Sequence, residues 1–375
     1  MDPETLALLT LVLAGGATAP RRLLLETHGS AASALAAGPR AWRAVGLDDK
    51  RCARLRTPSV TALARSEAWL ADPRRHLLDW QHADYPALLR QIASPPLALF
   101  VEGDADLLWH PGIAVVGSRS PSAGGRDNAH AFARALAAAG LVVFSGMAAG
   151  VDAAAHEAAL AVRDGRTVAV VGTGPDIAYP AGHAGLRERL AAQGAVVSEF
   201  PPGTEARAGH FPSRNRLLAG LSLGTLVIEA AERSGALITA RQASEAGREV
   251  FAVPGSIHNP MARGCHRLIR DGAALAERPQ EVIDGVSAVA GALAQALRQR
   301  LAASPERPHQ GACPHPLPPG ADYQCLWKAL GHDPTGMDAL IARTRLTAAE
   351  LSSMLLVMEL DGQVAVEHGR YSRRS

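Results

Sequence analysis

The chain has 375 residues, 47% of them hydrophobic, and a formal net charge of +2 at pH 7. This length and apolar content allow two or three domains with separate cores and exclude a disordered or fibrous protein. The small net charge neither indicates nor excludes a nucleic-acid partner, because phosphate binding depends on locally clustered cations.

Residues 1–72 contain short helical patterns broken at glycines, with Leu6, Leu9 and Leu13 at helical spacing. They predict a small all-α domain of the SAM or helix-hairpin-helix kind. Such hairpins can contact DNA, but no basic glycine-rich hairpin stands out, so we favour a packing role. Residues 73–111 are the predicted connector to the next domain.

Over residues 112–287, continuous apolar runs alternate with helical patterns. Runs of this kind are typical of strands buried on both faces of a parallel sheet. They predict a Rossmann-like, doubly wound, mostly parallel α/β domain. The runs are IAVVG (113–117), LVVF (141–144), TVAVVG (167–172), AVVSEF (195–200), TLVIEA (225–230) and EVFAVPG (249–255). The first helical pattern has its apolar stripe at Ala129, Phe132, Ala133, Leu136 and Ala137.

The last part of the chain has a different composition. Residues 288–320 become proline-rich, which predicts a helix tail and an extended linker. Residues 321–375 show three apolar helical faces and a hairpin pattern ending at Tyr371, which predict a winged-helix domain. Its third helix has almost no basic residues, so we favour docking or regulation over base reading. The faces comprise Tyr323, Leu326, Trp327 and Leu330; Met337, Leu340 and Ile341; Leu351, Met354, Leu355 and Met358.

The cysteines are scattered and form no Cys-x-x-Cys pair. They predict neither a disulfide framework nor a strong zinc pattern, and they fit a reducing cytoplasm. A metal set of Cys313, His315, Cys325 and His332 is an alternative, but its spacing is irregular, and we expect no metal and no cofactor. The acidic start and the lack of a membrane-length apolar run predict neither a secretory signal nor a membrane span. The four cysteines are Cys52, Cys265, Cys313 and Cys325.

The turn after the first apolar run, VVGSRSPSAGG, is rich in phosphate-binding groups. Ligands of parallel α/β sheets gather at the carboxyl ends of the strands, where such turns lead into helices. Gly117 permits a tight turn, and Arg119 offers a planar set of donors. Ser118 and Ser122 add hydroxyl groups beside free backbone N–H groups. The dinucleotide fingerprint Gly-x-Gly-x-x-Gly is absent, which argues against NAD.

The second turn, SGMAAGVDAAAH, lets a ligand approach the backbone closely at Ser145, Gly146 and Gly150. Asp152 and His156 share a helical face there. They are either an acid/base pair or, as we favour, an N-terminal cap and its partner.

Three further turns complete the candidate site. In GTGPDIAYP, the glycines Gly172 and Gly174 admit a backbone, and Tyr179 either stacks on a base or packs internally. The segments FPSRNRLLAGLS and ERSGALITARQA place cations and small residues at two predicted helix starts, where phosphates bind. Together these turns offer more phosphate sites than one nucleotide requires, which favours a strand of nucleic acid. The last two segments supply Arg214, Asn215, Arg216, Ser234, Gly235 and Thr239.

Catalytic patterns are missing from the sequence. There is no Gly-x-Ser-x-Gly elbow, P-loop or acidic two-metal cluster. Glu199 and Glu229 end predicted strands, but a single carboxylate there is typical of a cap or a loop anchor. We therefore expect no catalytic residue and no enzymatic activity.

These segments, in this order and spacing, resemble the DNA-processing protein A (DprA/Smf) family. The resemblance is carried by VVGSRSPS, SGMAAGVDAAAH, GTGPDIAYP, SEFPPG, FPSRNRLLAGLS, VIEAAERSGALITARQASEAGREVFAVPG and GCHRLIRDGA, and by the preceding DYPALLRQIASPPLALFVEGD. It implies a Rossmann-like domain that binds single-stranded DNA in a basic pocket. It also implies a homodimer that helps to load the RecA recombinase onto incoming DNA during natural transformation, without catalysis.

The resemblance also assigns residues. It implies a DNA pocket lined by Gly117–Arg119 and Arg214–Arg216, and a dimer surface around residues 256–275. The family places basic residues after the Tyr-Pro pair, where this chain has Ala181 and Gly185. Either that DNA contact has moved or binding is weaker.

Two other functions compete with this one. Rossmann-like phosphoribohydrolases of nucleoside monophosphates use the motif Gly-Gly-x-Gly-Thr followed by Glu. Leu223-Gly224-Thr225 with Glu229 matches this motif in part and lacks the paired glycines. An adaptor that binds a recombinase without touching DNA is the second alternative. Release of free base would reveal the enzyme, and a function left intact by charge reversal at Arg119 and Arg214 would reveal the adaptor.

Overall fold

The computed structural model describes residues 1–303 and, beyond them, 326, 327, 329, 330, 335–344, 346, 351, 354, 355, 358, 364–367 and 370–373. The chain divides into two compact units, Met1–Leu301 and Ala302–Ser375. Within the described ranges, none of the helices combines the length and the apolar character that a membrane span needs.

The first unit begins with six short helices, as predicted. Their N-termini are fixed by side-chain caps: Asp2, Ser30, Asp48 and Ser59 each accept a hydrogen bond from a backbone N–H in the first turn. Gly29, at φ 77°, ends the second helix in the left-handed conformation. The helices are α1 Pro3–Ala14, α2 Thr18–His28, α3 Ala31–Ala36, α4 Gly38–Ala44, α5 Asp49–Arg56 and α6 Val60–Leu70.

A nine-stranded sheet forms the centre of the first unit, in the order β1-β2-β6-β5-β4-β3-β7-β8-β9. The strands from β6 to β9 are parallel, and β1 and β2 extend that sheet in antiparallel pairing. The predicted apolar runs form six of the parallel strands, and the Rossmann-like class is confirmed. The strands are β1 Arg75–Asp79, β2 Ala98–Gly103, β3 Gly112–Val116, β4 Val142–Ser145, β5 Thr167–Val170, β6 Ala195–Ser198, β7 Gly224–Val227, β8 Glu249–Ala252 and β9 Ala274–Leu275.

Helices cover both faces of the sheet. Ile113 and Val115 of β3 point to one face and Ala114 and Val116 to the other, and all four are buried. The predicted stripe of the first helix after β3 is buried as well. The helices are α7 Ala87–Arg90, α8 Ala123–Ala138, α9 Val151–Leu160, α10 Ala184–Gln193, α11 His210–Leu221, α12 Gly235–Glu245, α13 Arg263–Arg270 and α14 Pro279–Ala303.

The helical region at the N-terminus packs against the sheet. Leu97, Ala98 and Phe100 of the β2 segment belong to the same apolar cluster as the buried side chains of α1 to α6. Trp69 of α6 contacts Phe100 edge-on, with ring centroids 5.9 Å apart. The division of this unit at residues 72, 111 and 287 stays a prediction.

The second unit is described in part. It contains β10 Thr335–Gly336, α15 Met337–Thr344, β11 Val364–Glu367 and β12 Arg370–Arg373, with the strands in the order β10-β12-β11. The predicted hairpin is present, because β11 and β12 pair in antiparallel register. Leu326, Leu340 and Leu355 from the three predicted helical faces share one buried cluster. Tyr323 and the alternative metal set of Cys313, His315, Cys325 and His332 lie outside the described residues.

Candidate nucleic-acid interface

A cavity of about 720 Å³ opens at the carboxyl ends of the parallel strands. It lies where the strand order reverses between β3 and β7, which is the usual ligand position of a doubly wound sheet. The structure brings the following predicted residues together around it: Gly117, Ser118, Arg119, Tyr179, Arg214, Asn215, Ser234, Gly235 and Thr239.

The turn after β3 places Arg119 at the cavity and Ser122 outside its lining. The Arg119 guanidinium lies over the Phe211 ring, 5.5 Å from its centroid, and the side chain is exposed. Ser122 is the N-cap of α8, and its hydroxyl donates to Glu229 Oε1 at 2.6 Å. Ser122 therefore fixes the turn and does not line the cavity.

The small residues after β4 support the cavity from behind. Ser145 is buried, and its hydroxyl donates to the Val115 carbonyl at 2.7 Å. Gly150 has φ 83°, and a Cβ there would overlap the backbone of Ser118 and Arg119. A Cβ on Gly146 would overlap the Arg214 guanidinium. All three residues are needed for close packing and lie outside the cavity lining.

The predicted link between Asp152 and His156 is wrong. Gly150 occupies the N-cap position of α9, and the buried Asp152 carboxylate accepts hydrogen bonds from the backbone of Gly146 and Ala148, at 3.1 and 3.3 Å. Burial raises the pKa of Asp152, and the nearby positive charge of Arg214 opposes that shift. Asp152 thus anchors the loop that supports the cavity.

His156 has a different partner. Its Nδ1 lies 2.7 Å from the Thr167 hydroxyl, which donates its own proton to the Val143 carbonyl. Thr167 must therefore accept from Nδ1–H, and this assigns the tautomer. Burial lowers the pKa of His156 to about 3. A neutral, buried imidazole that lies outside the cavity is not an acid/base catalyst.

An aromatic pair forms one wall of the cavity. Tyr179 is 41% exposed, and its ring centroid lies 5.1 Å from that of Phe211. Gly172 and Gly174 are buried: a Cβ on Gly172 would lie 3.3 Å from the Phe211 ring, and one on Gly174 would lie 2.6 Å from Asp176 Oδ1. The two glycines allow the wall to pack, and only the aromatic side chains reach the cavity.

Two positions after Tyr179, where the family resemblance implies basic residues, have small side chains in this chain. Ala181 and Gly185 are exposed. Arg187, the nearest following cation, donates to the Pro175 carbonyl at 2.6 Å and forms a buried ion pair with Glu102 of β2. Its charge is used inside the fold, so it does not replace a DNA contact.

Arg214 and Arg216 point to opposite sides of α11. Arg214 is 5% exposed and lines the cavity. Its guanidinium donates to the Val170 carbonyl at 2.8 Å, and burial lowers its pKa. Arg216 pairs with Glu199 and lines a separate cavity of about 390 Å³ beside the helical region. Neighbouring residues on a helix point about 100° apart, so a consecutive trio does not share one surface. Asn215 remains at the cavity.

The N-terminus of α12 faces the same cavity. Ser234 caps this helix by accepting from the Ala236 N–H at 3.2 Å, and Gly235 and the buried Thr239 lie in its first turn and a half. The positive end of a helix dipole attracts phosphate.

A cation and an aromatic ring at the cavity were not among the predicted site residues. Arg207 is an exposed cation in the irregular segment between β6 and α11, a segment for which no pattern predicted a position. Phe211 appeared in the quoted FPSRNR motif, and its distance from Arg119 along the chain hid their contact. Among the described residues, no three His, Cys, Asp or Glu side chains form a group that could hold a metal ion.

Residues 76–287 match the family model described as DNA recombination-mediator protein A, and residues 305–370 match the DprA winged helix domain. The first match covers more than half of the chain. The chain belongs to the DNA recombination-mediator protein A family. The predicted DprA/Smf resemblance and the predicted winged-helix domain are thereby confirmed.

Relatives from several bacteria agree with this assignment. Protein Smf of Escherichia coli is 38% identical over 88% of this chain and 85% of its own length. The X-ray structure of DNA processing protein A from Streptococcus pneumoniae matches 73% of this chain and 95% of its own with a TM-score of 0.66 and 35% identity. DNA processing protein A from Helicobacter pylori, described with a unique single-stranded DNA binding mode, matches 56% and 95% with a TM-score of 0.51 and 29% identity.

Proposed function

We propose that this protein binds single-stranded DNA in the cavity between β3 and β7, protects incoming DNA, and helps to load RecA during natural transformation. The observation that carries the proposal is the set of exposed arginines at the cavity. Arg119, Arg207 and Arg233 approach it from three different segments, and each is exposed. Phosphates that follow one another along a strand require cations spread in this way.

The cavity also suits unpaired bases. Tyr179 and Phe211 present aromatic faces next to the Arg119 guanidinium. Bases stack on such faces only when they are not already stacked and paired within a duplex. The aromatic wall therefore favours a single strand and gives little sequence preference, because every base has an aromatic face.

The relatives support the proposal at the level of the family. The Helicobacter pylori protein is described by its single-stranded DNA binding mode, and its fold matches this chain. Loading of RecA and a role in natural transformation rest on the family resemblance. We place this function in the cytoplasm, where incoming DNA meets the recombinase.

The structure gives no support to the phosphoribohydrolase alternative. Glu229, its candidate acid, is buried: its Oε1 accepts from the Ser122 hydroxyl and from Asn259 Nδ2 at 3.0 Å, and its Oε2 accepts from the Ser122 N–H at 2.8 Å. Among the described residues that line the cavity, the one carboxylate is Asp152, which holds a loop. A positioned, reactive carboxylate is what nucleotide cleavage would need. We therefore propose a protein without enzymatic activity.

We propose that the protein is a homodimer and that residues 256–275 form its interface. Ile257 is 77% exposed and Leu275 is 45% exposed, so both large apolar side chains are available for burial against a second copy. Leu275 belongs to β9, an edge strand whose outer side no other strand of the sheet covers. A second copy would cover both features.

Fluorescence anisotropy with labelled single-stranded and double-stranded oligonucleotides tests the function. The full chain should bind the single strand more tightly, and its binding should weaken as salt rises. The same samples, incubated with nucleoside monophosphates, should release no free base. Equal affinity for both forms of DNA would contradict the proposed site, and release of base would restore the enzyme.

A further inference from the structure

The loop at residues 201–209 connects the DNA cavity to the N-terminal helices. Its residues Ala206, Arg207 and Ala208 line the cavity. At its other end, Gly203 has φ 80° and lies so close to Arg65 of α6 that a Cβ would overlap the guanidinium. The loop is anchored at this end, because the Gly203 N–H donates to Asp176 Oδ1 at 2.8 Å. It is a short, fixed bridge between the two regions.

More cations lie on the helical side of this bridge. Arg54 of α5 donates to the Ala14 carbonyl at 3.2 Å and lies beside the turn between α1 and α2. That turn and Pro201 of the loop line the same cavity of about 390 Å³. Arg54 lies beside the turn and Arg65 beside Gly203 of the loop, and we call the region between them the junction. Both arginines are exposed, and neither forms an ion pair with any described residue.

The carboxylates near the junction do not neutralise these two arginines. Glu199 is paired with Arg216, and Asp48 is paired with Arg51. Glu205 is exposed on the loop itself, where Arg207 is two residues away. Asp176, which accepts from the Gly203 N–H, is a second exposed carboxylate here. The three exposed arginines Arg54, Arg65 and Arg207 still outnumber Glu205 and Asp176, so the junction keeps a net positive charge next to the cavity.

We propose that Arg54 and Arg65 form an outer DNA-contact surface, which receives the single strand after it leaves the cavity across the 201–209 loop. The inference rests on the proposed function of the cavity and extends its binding site. Gly203 and Arg207 are four residues apart, so their Cα atoms are at most about 14 Å apart. A stacked strand covers that distance with about four nucleotides.

Phosphate is the ligand that fits this surface best. The arginines are unpaired, exposed and continuous with the phosphate-binding rim, whereas a protein partner would be expected to cover apolar side chains as well. The N-terminal helices thus gain a role in DNA binding without a helix-hairpin-helix motif. Arg54 contributes its charge from the last turn of α5, and Arg65 from the middle of α6, next to Gly203 of the loop.

The test compares short and long oligonucleotides on the full chain. In the R54A/R65A variant, binding of an oligothymidylate of about five nucleotides should equal that of the wild type, because the cavity is intact. Binding of one of about 30 nucleotides should weaken, and its salt slope should fall by about 1.4, or about 0.7 for each lost phosphate contact. Between roughly 50 and 200 mM salt, the wild type should then lose about sevenfold more affinity than the variant.

Two control variants separate charge from folding. R134A/R163A removes two exposed arginines, one on α8 and one after α9, and should leave both oligonucleotides unaffected. R54K/R65K keeps the charges and should keep the salt slope. A loss of affinity in R54A/R65A that R54K/R65K does not share is therefore due to the lost charge. Arg119→Ala reports on the cavity itself.

Each outcome decides between the proposals. If R54A/R65A binds the long oligonucleotide like the control variant while Arg119→Ala loses affinity, the outer surface is rejected and the cavity stands. If Arg119→Ala also binds like the wild type, the cavity function fails, and the outer surface fails with it. A loss confined to the long oligonucleotide in R54A/R65A supports the surface.

Discussion

Two glycines at the candidate site, Gly146 and Gly235, differ sharply in what surrounds them. Gly146 is buried against the Arg214 guanidinium, and a Cβ there would overlap it. Gly235 is the first residue of α12, and a Cβ there would meet nothing within 4 Å. Both were predicted as DNA-contacting glycines, and the packing assigns them different roles. Gly146 makes room for a buried cation, and Gly235 lies at the cavity.

The substitution Gly146→Ala should destabilise the protein by about 1–3 kcal/mol, because a buried guanidinium must move from its place. Gly235→Ala should change stability by less than about 0.5 kcal/mol. Urea unfolding of the two variants measures both effects. Equal losses would contradict the packing described for Gly146.

His156 makes folding sensitive to acid. In the folded protein burial lowers its pKa to about 3, whereas the unfolded chain has the ordinary value near 6.5. Its contribution to stability is therefore complete above pH 6.5 and is lost as the pH falls towards 3, because only the unfolded state then takes up the proton. The loss amounts to about 1.4 kcal/mol per pH unit in that window.

The variant His156→Asn should remove this sensitivity. Its amide can still donate to the Thr167 hydroxyl, but it does not titrate. Between pH 7 and pH 5 the wild type should lose about 2 kcal/mol more unfolding free energy than the variant. Chemical denaturation at the two pH values measures the difference, and parallel losses would exclude His156 as the titrating group.

Single elements show how far the sequence could predict the fold. The six parallel strands were predictable because both faces are buried, which leaves continuous apolar runs. The edge strands β1 and β9 were not, because β1 is mostly half-buried and β9 has two exposed residues. The opposite directions of Arg214 and Arg216 depend on the rotation of α11, and the place of Arg207 depends on a loop without periodicity. Local sequence patterns predict neither the directions of these two side chains nor the position of Arg207.

Glu102 on β2 joins two elements that the sequence did not connect. Its buried carboxylate pairs with Arg75 of β1 at 3.1 Å and with Arg187 of α10. Arg187 also holds the Pro175 carbonyl, in the loop that leads to Tyr179. The edge of the sheet thereby supports one wall of the cavity.

Replacing Glu102 by Gln should lower the unfolding free energy by about 3 kcal/mol, because two arginines lose their buried counter-charge. Glu245→Gln is the matched control, since its pair with Arg241 is 64–70% exposed and lies outside the proposed dimer surface, and it should leave stability unchanged. Urea denaturation measures the unfolding free energy of both variants. Similar stability of the two variants would show that the Glu102 pair is not structurally important.

At the scale of the whole molecule, the doubly wound topology places the cavity. The strand order reverses between β3 and β7, so the turns after these strands diverge and leave a gap at the sheet edge. The sequence predicted a site at the carboxyl ends of the strands, and the structure adds the strand order that places the cavity between β3 and β7. The dimer face was implied by resemblance alone, since one chain shows which apolar residues are exposed and not what covers them.

Leu275→Glu tests the proposed dimer. The side chain is already 45% exposed, so a charge there should leave the fold of a single chain intact, whereas at an apolar interface it would be buried without a partner. We expect the molar mass measured by light scattering after gel filtration to fall from that of a dimer to that of a monomer. Val60→Glu, at another large apolar side chain that is 77% exposed, should leave the mass unchanged. A dimer that persists in Leu275→Glu would move the interface elsewhere.

The salt dependence of single-stranded DNA binding by Arg119→Ala tests the central claim most directly. Arg163→Ala is the control, because Arg163 is 97% exposed and lies after α9, outside the cavity lining. We predict weaker binding for Arg119→Ala, with the slope of log affinity against log salt smaller by about 0.7, while Arg163→Ala matches the wild type. An unchanged slope in Arg119→Ala would remove the turn after β3 from the DNA path and contradict the account.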